Sequence, residues 1–137
     1  MTTLPALLDT DILSAIMRQD SVVIAKAQTY LSNHQQFTFS IITRYKILRG
    51  LKAKAATKQI AAFERFCEAS TILPITDAVI IKAADAYAFL KQRGELIGDA
   101  DILIASTALV NRLYVVTNNL NHFRRVPELQ IQNWLQI

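Results

Sequence analysis

The chain has 137 residues, 52% of them apolar, which is enough for one continuous core and too little for two full domains. Its 15 Lys and Arg against 11 Asp and Glu leave a net +4; this excludes an acidic, disordered segment and permits a polyanionic partner. Three Gly, three Pro, two His and one Cys exclude a glycine-rich phosphate cradle, an internal disulfide and a structural zinc site.

Short apolar runs alternate with longer helical ones. The expected strands are Ala6 to Leu8, Gln36 to Phe39, Thr71 to Ile75, Leu113 to Val116 and Leu129 to Trp134. The expected helices are Asp11 to Gln19, Ser21 to Ser32, Ile41 to Ala56, Thr57 to Glu68, Asp77 to Arg93 and Asp99 to Arg112. Ser21, Ser40, Thr57, Thr76 and Gly98-Asp99 sit where N-caps belong, and Gly94 sits where the fifth helix should stop. Strands alternating with helices predict a mostly parallel sheet covered on both faces, in a single domain over 1–137. The opening residues lack a basic, apolar leader, and no run has the ~18 apolar residues of a membrane span, so a cytoplasmic, membrane-free protein is expected. Cys67 reads as a small core residue and Trp134 as an anchor for the last strand.

In a parallel sheet, ligands gather beyond the carboxyl ends of the strands, and that rule selects the candidates. Asp9, Thr10 and Asp11 follow the first strand; by themselves they read equally well as a helix cap. Asp101 lies in the first turn of a helix apolar around almost its whole circumference, where a carboxylate needs a partner or a cation. Asp99 reads more simply as that helix's cap. Thr117, Asn118 and Asn119 end the fourth strand. Asp9, Asp101 and Asn119 are hard oxygen donors of the kind that suit Mg²⁺ or Mn²⁺. His34 and His122 read as surface or structural residues rather than ligands.

Between Ser21 and Phe63 there is no acid, but there are Lys26, Arg44, Lys46, Arg49, Lys52, Lys54 and Lys58, a pattern that fits a phosphate-backbone surface or a solvated helix face. On the third helix Ile47, Leu48, Leu51 and Ala55 form the apolar stripe. Thr43, Lys46 and Arg49 point roughly the other way, leaving Lys46 to face solvent or the strand-end cleft.

The segments LLDTDIL at 7–13, FSIITRYKILRGL at 39–51, IGDADILIASTAL at 97–109 and VVTNNLNHF at 115–123 resemble, in order and spacing, the PIN-domain ribonucleases of the VapC toxin type. The resemblance implies a PIN-like α/β/α sandwich with a mostly parallel five-stranded sheet. It also implies a homodimer, a cognate antitoxin, and RNA cleavage with Mg²⁺ or Mn²⁺ bound by Asp9 and Asp101. Asp99 and Asn119 would support the ion, Thr10 and Asp11 would continue the first motif, and Ser40 or Thr117 would bond a phosphate. Arg44, Arg49, Lys52 and Lys54 would attract RNA. One position departs from the pattern: Lys46 stands where the family carries its second acid, a Glu. At ~4 Å and an effective dielectric of ~20 each unit charge pair amounts to roughly 4 kcal/mol before desolvation, so metal affinity and cleavage should be impaired. The Lys46 ammonium is expected to stand in for the cation among Asp9, Asp99 and Asp101. Two other readings are a non-catalytic PIN module that binds antitoxin or RNA, and a haloacid-dehalogenase-type phosphatase with Asp9 as nucleophile and Asp11 as general acid.

Overall fold

The computed structural model describes residues 4–136. Five short strands, β1 (Ala6–Leu8), β2 (Thr38–Ser40), β3 (Thr71–Leu73), β4 (Tyr114–Val116) and β5 (Ile131–Gln132), alternate with helices. These are α1 (Thr10–Met17), α2 (Ser21–His34), α3 (Ile41–Ala53), α4 (Thr57–Glu68), α5 (Asp77–Gln92), α6 (Asp99–Val110) and α7 (Leu120–Phe123). Every ladder pairing is parallel. The strands form two ladders, β1-β4-β5 and β2-β3, rather than one continuous five-stranded ladder. β2 lies against β1, so the spatial succession is β3, β2, β1, β4, β5.

The period-2 alternation of β1 and β4 divides the core. Ala6, Leu8 and Val116 pack with residues of α1, α2 and α4 and with Ile47 of α3. Leu7 and Val115 face the other way, toward α5, α6 and Phe123 of α7. This is the three-layer α/β/α arrangement expected of βαβ units, in which both sheet faces are dry.

Capping explains where the boundaries moved. Asp9 caps α1 by accepting from the Thr10 N–H, so α1 begins one residue early. Asp20, rather than Ser21, caps α2, accepting from the Val22 N–H at 3.0 Å and the Val23 N–H at 3.3 Å. Ser40 and Thr76 cap α3 and α5 as the sequence suggests, whereas α4 and α6 start without a side-chain cap bond. Gly94, at φ 68°, ends α5 in the left-handed conformation. α3 stops at Ala53, which leaves Ala55 exposed beyond it at φ 52° instead of in the apolar stripe. Cys67 and Trp134 are buried as expected, and His34 stacks on Tyr30 with ring centroids 4.4 Å apart.

Tyr30 also ties α2 to the start of β1, its buried hydroxyl accepting from the Ala6 N–H at 3.0 Å. Replacing it with Phe leaves a buried N–H without an acceptor, a penalty of about 1–3 kcal/mol. Tyr30→Phe should therefore lower the urea midpoint with an unchanged m-value, while Tyr45→Phe, at an exposed side chain, should stay within about 0.5 kcal/mol of the natural chain.

Candidate active site at the strand ends

Register brings the first two site residues together. Leu8 pairs with Val116, so the next residue on each strand, Asp9 and Thr117, lies at the same carboxyl edge. The Asp9 N–H continues the ladder to the Val116 carbonyl at 2.9 Å. Asp9 is buried, with 5% of its surface exposed, and both of its carboxylate oxygens are engaged. Oδ1 accepts from the Thr10 N–H at 2.8 Å and Oδ2 from the Thr117 hydroxyl at 2.7 Å. Thr117 Oγ1 in turn accepts from the Asn119 N–H at 2.9 Å.

Asp11, in the first turn of α1, accepts from the Asn118 N–H through Oδ2 at 3.0 Å, while its Oδ1 is buried without a hydrogen-bond partner. Asp101 projects from the first turn of α6 with 16% of its side chain exposed, and its Oδ2 lies 3.0 Å from His122 Nδ1. Asn119 approaches the same ring nitrogen at 2.8 Å.

These acids repel one another electrostatically. Burial pushes the Asp9 carboxyl up to about 6; the charge of Asp11 and, more weakly, that of Asp101 push in the same direction, against the bonds from Thr117 and Thr10. Burial also raises Asp11, with Asp101 adding to the rise, while the Asn118 and Ile12 N–H groups and, most weakly, the Lys46 ammonium hold it down.

Lys46 is half-buried on α3, a helix that packs against both α1 and α6. The acid on which it acts is Asp11; Asp99, which the sequence grouped with it, is exposed. Among the described residues Lys46 makes no contact ion pair, so its influence on Asp11 is one of charge at a distance.

Several expected roles are corrected. Ser40 and Thr117 are fully buried and committed to internal bonds, Ser40 to the Ile42 N–H and Thr117 to Asp9, and neither can reach a phosphate. Thr43 faces inward, its hydroxyl 3.2 Å from that of Thr10. Arg44 is held by Glu64, the first acid after the basic stretch, and donates to Cys67 Sγ at 3.1 Å; it is spent in structure instead of being available to RNA. Arg49, Lys52 and Lys54 remain exposed, Arg49 lying 5.1 Å from the centre of the Tyr45 ring. His122, read from the sequence as a surface or structural residue rather than a ligand, meets Asp101 and Asn119; the sequence signal for the latter contact is its position three residues after Asn119, one helical turn on.

Three buried or partly buried carboxylates, of which Asp9 and Asp11 are raised in proton affinity and Asp11 has a buried oxygen without a hydrogen-bond partner, offer the oxygen donors that suit a hard dication. The set is incomplete: among the described residues no three acidic, His or Cys side chains close on one point. Lys46 stands on the α3 side of this group.

The PIN-domain family model matches residues 6–129. The chain belongs to the PIN-domain family. Among its relatives, a Ribonuclease VapC2 from Haemophilus influenzae is 31% identical over 94% of this chain and 97% of its own length. A tRNA(fMet)-specific endonuclease VapC from Salmonella typhimurium is 31% identical over 74% of this chain and 78% of its own. Among solved structures, DNA-bound VapBC from Salmonella typhimurium superposes with a TM-score of 0.84 at 28% identity, covering 96% of this chain and 99% of that one. Within the family the chain groups with the VapC toxin ribonucleases, and the α/β/α sandwich with parallel strands is the PIN fold. The haloacid-dehalogenase reading is thereby overturned; the Asp9-Thr10-Asp11 run belongs to the PIN motif.

The shift at Asp9 has a signed consequence for stability. A carboxyl at about 6 when folded and near its ordinary 3.8 when unfolded binds its proton more tightly in the native state, so stability falls as pH rises through that window. Asp9→Asn should therefore stabilise the protein at pH 7.5 by on the order of 2 kcal/mol and flatten the pH dependence between pH 4 and 6. Urea denaturation of both proteins at pH 4.5 and 7.5 measures the difference; an unaltered pH slope in the variant would contradict the assignment.

Proposed function

We propose that the chain is a cytoplasmic, metal-dependent endoribonuclease toxin of a toxin–antitoxin pair whose cleavage is suppressed by Lys46. The observation that carries this reading is the half-buried Lys46, whose charge acts on Asp11 beside a second acid, Asp9, and both of these carboxyls are raised in proton affinity. Asp9 and Asp101 would hold Mg²⁺ or Mn²⁺, with the free Asp11 Oδ1 and Asn119 as supporting donors. When bound, such an ion activates water and offsets the charge of the scissile phosphate.

The chain's own residues would prepare the site. Thr117 and the Thr10 N–H orient Asp9, His122 meets Asp101, and Arg49, Lys52 and Lys54 draw in the RNA backbone. Nearly full-length likeness to VapC relatives supports RNA as the substrate and an antitoxin as the partner. Among the described residues no helix is long and apolar enough to cross a membrane. Ile80, Ile81 and Tyr87, exposed on α5, support a homodimer.

A second reading is favoured by the same lysine: with its phosphate attraction intact and its dication site weakened, the chain binds RNA or antitoxin without cutting. Lys46→Glu separates the two. The variant is expected to cut a panel of structured RNAs in Mn²⁺ on the order of 100-fold faster than the natural chain, equivalent to ~2.7 kcal/mol, and to arrest growth when expressed. Asp9→Asn placed in that background should abolish the gain. Equal cleavage by the natural chain and the Lys46→Glu variant would overturn the suppressive role of Lys46. No cleavage by either, with RNA retained in a gel-shift assay, would establish the binding module instead.

A further inference from the structure

The two acids assigned to the ion come from distant parts of the chain, Asp9 from the end of β1 and Asp101 from the start of α6. One short segment touches both. Thr117 donates to Asp9 Oδ2 at 2.7 Å and accepts from the Asn119 N–H at 2.9 Å; the Asn119 side chain lies 2.8 Å from His122 Nδ1, which lies 3.0 Å from Asp101 Oδ2. An unbroken run of hydrogen bonds therefore joins the two carboxylates through residues 117–122.

Donor chemistry fixes the roles within that run. A carboxylate oxygen only accepts, so Nδ1 carries the hydrogen toward Asp101. The Asn119 amide nitrogen is the atom placed 2.8 Å from Nδ1, and an NH₂ only donates; we therefore assign the amide the half-turned orientation, in which its oxygen shares that N–H. The ring is further fixed from behind. Phe123, the next residue, is fully buried in the core between the sheet and α5–α6, so the single turn of α7 cannot rotate His122 away without extracting Phe123. Asn119 makes no side-chain cap bond to α7, which leaves its amide available to the ring.

We propose that His122 is a positioning residue for Asp101, whose N–H, shared with Asn119 and linked through Thr117 to Asp9, holds the two acids at a set spacing before any ion arrives. This rests on the assignment of Asp9 and Asp101 as ion ligands, and partners that orient a metal-binding acid in this way typically govern affinity about tenfold or more when removed.

Two measurements test it. In the natural chain, the side-chain rotamer of Asp101 is followed by NMR couplings in the metal-free state. In the Lys46→Glu background, Mn²⁺ affinity is measured by calorimetry. His122→Ala should release Asp101 into rotamer averaging and weaken Mn²⁺ binding about tenfold, with the melting temperature moved by no more than about 2 °C. His122→Asn, which can place an amide N–H where the ring N–H lies, should restore most of both; a role in packing alone would not be rescued by so much smaller a side chain. If His122→Ala does not fold, His122→Leu keeps the bulk without the N–H and replaces it. A single Asp101 rotamer together with undiminished Mn²⁺ affinity in the variant lacking the N–H would overturn the proposal. Failure of the Lys46→Glu protein to bind Mn²⁺ would instead overturn the ligand assignment, and the rotamer measurement would still decide the role of His122.

Discussion

Negative charge held away from water is the constraint around which this molecule is arranged. Asp9 sits at the end of a central strand whose own residues are all buried, and its charged form loses hydration that hydrogen bonds from Thr10 and Thr117 only partly replace. Adding Asp11 and Asp101 nearby compounds the cost, since each raises the proton affinity of Asp9. The Lys46 charge, acting on Asp11, offsets part of that cost.

The sheet is what makes the cluster possible. Parallel ladders deliver successive strand ends to one edge, and the Leu8–Val116 pairing sets Asp9 beside Thr117 with no freedom to slip, because a one-residue shift would turn Leu7 and Val115 into the wrong layer. The helices then add side chains from above: α1 presents Asp11, α6 presents Asp101, and α3, lying across both, presents Lys46. The same α3 is secured by Ser40 at its start and by the Arg44–Glu64 pair along its length. That pair draws one residue of the basic stretch into the architecture.

What was legible in the sequence followed from local chemistry. Alternation, β-branched runs and caps located all five strands and six of the helices, and the strand-end rule picked out Asp9, Asp101, Asn119 and Thr117. Two kinds of feature were not legible. The four-residue α7 is too short to show a helical period, and without α7 nothing in the sequence turns His122 back over Asp101. The second kind is partnership across the chain. Ser40 and Thr117 look like exposed hydroxyls in a list of strand-end residues, and only tertiary packing reveals that they are buried and occupied. Likewise the sequence set Thr43 on the outward side of α3, because its apolar stripe alone does not say that a polar face will meet the Thr10 hydroxyl.

Lys46, half-buried on α3, is the basic residue whose charge reaches this group of acids, where it lowers Asp11. The account depends most directly on the charge state of those acids. A carboxyl carbon NMR titration that follows Asp9 by itself reads it without ion, substrate or partner. A midpoint near 6 is the expected result, well above the ordinary 3.8. A midpoint at or below 3.8 would mean that Asp9 is solvated or paired with a cationic side chain, and would contradict the buried acid cluster on which the assignment of the site is built.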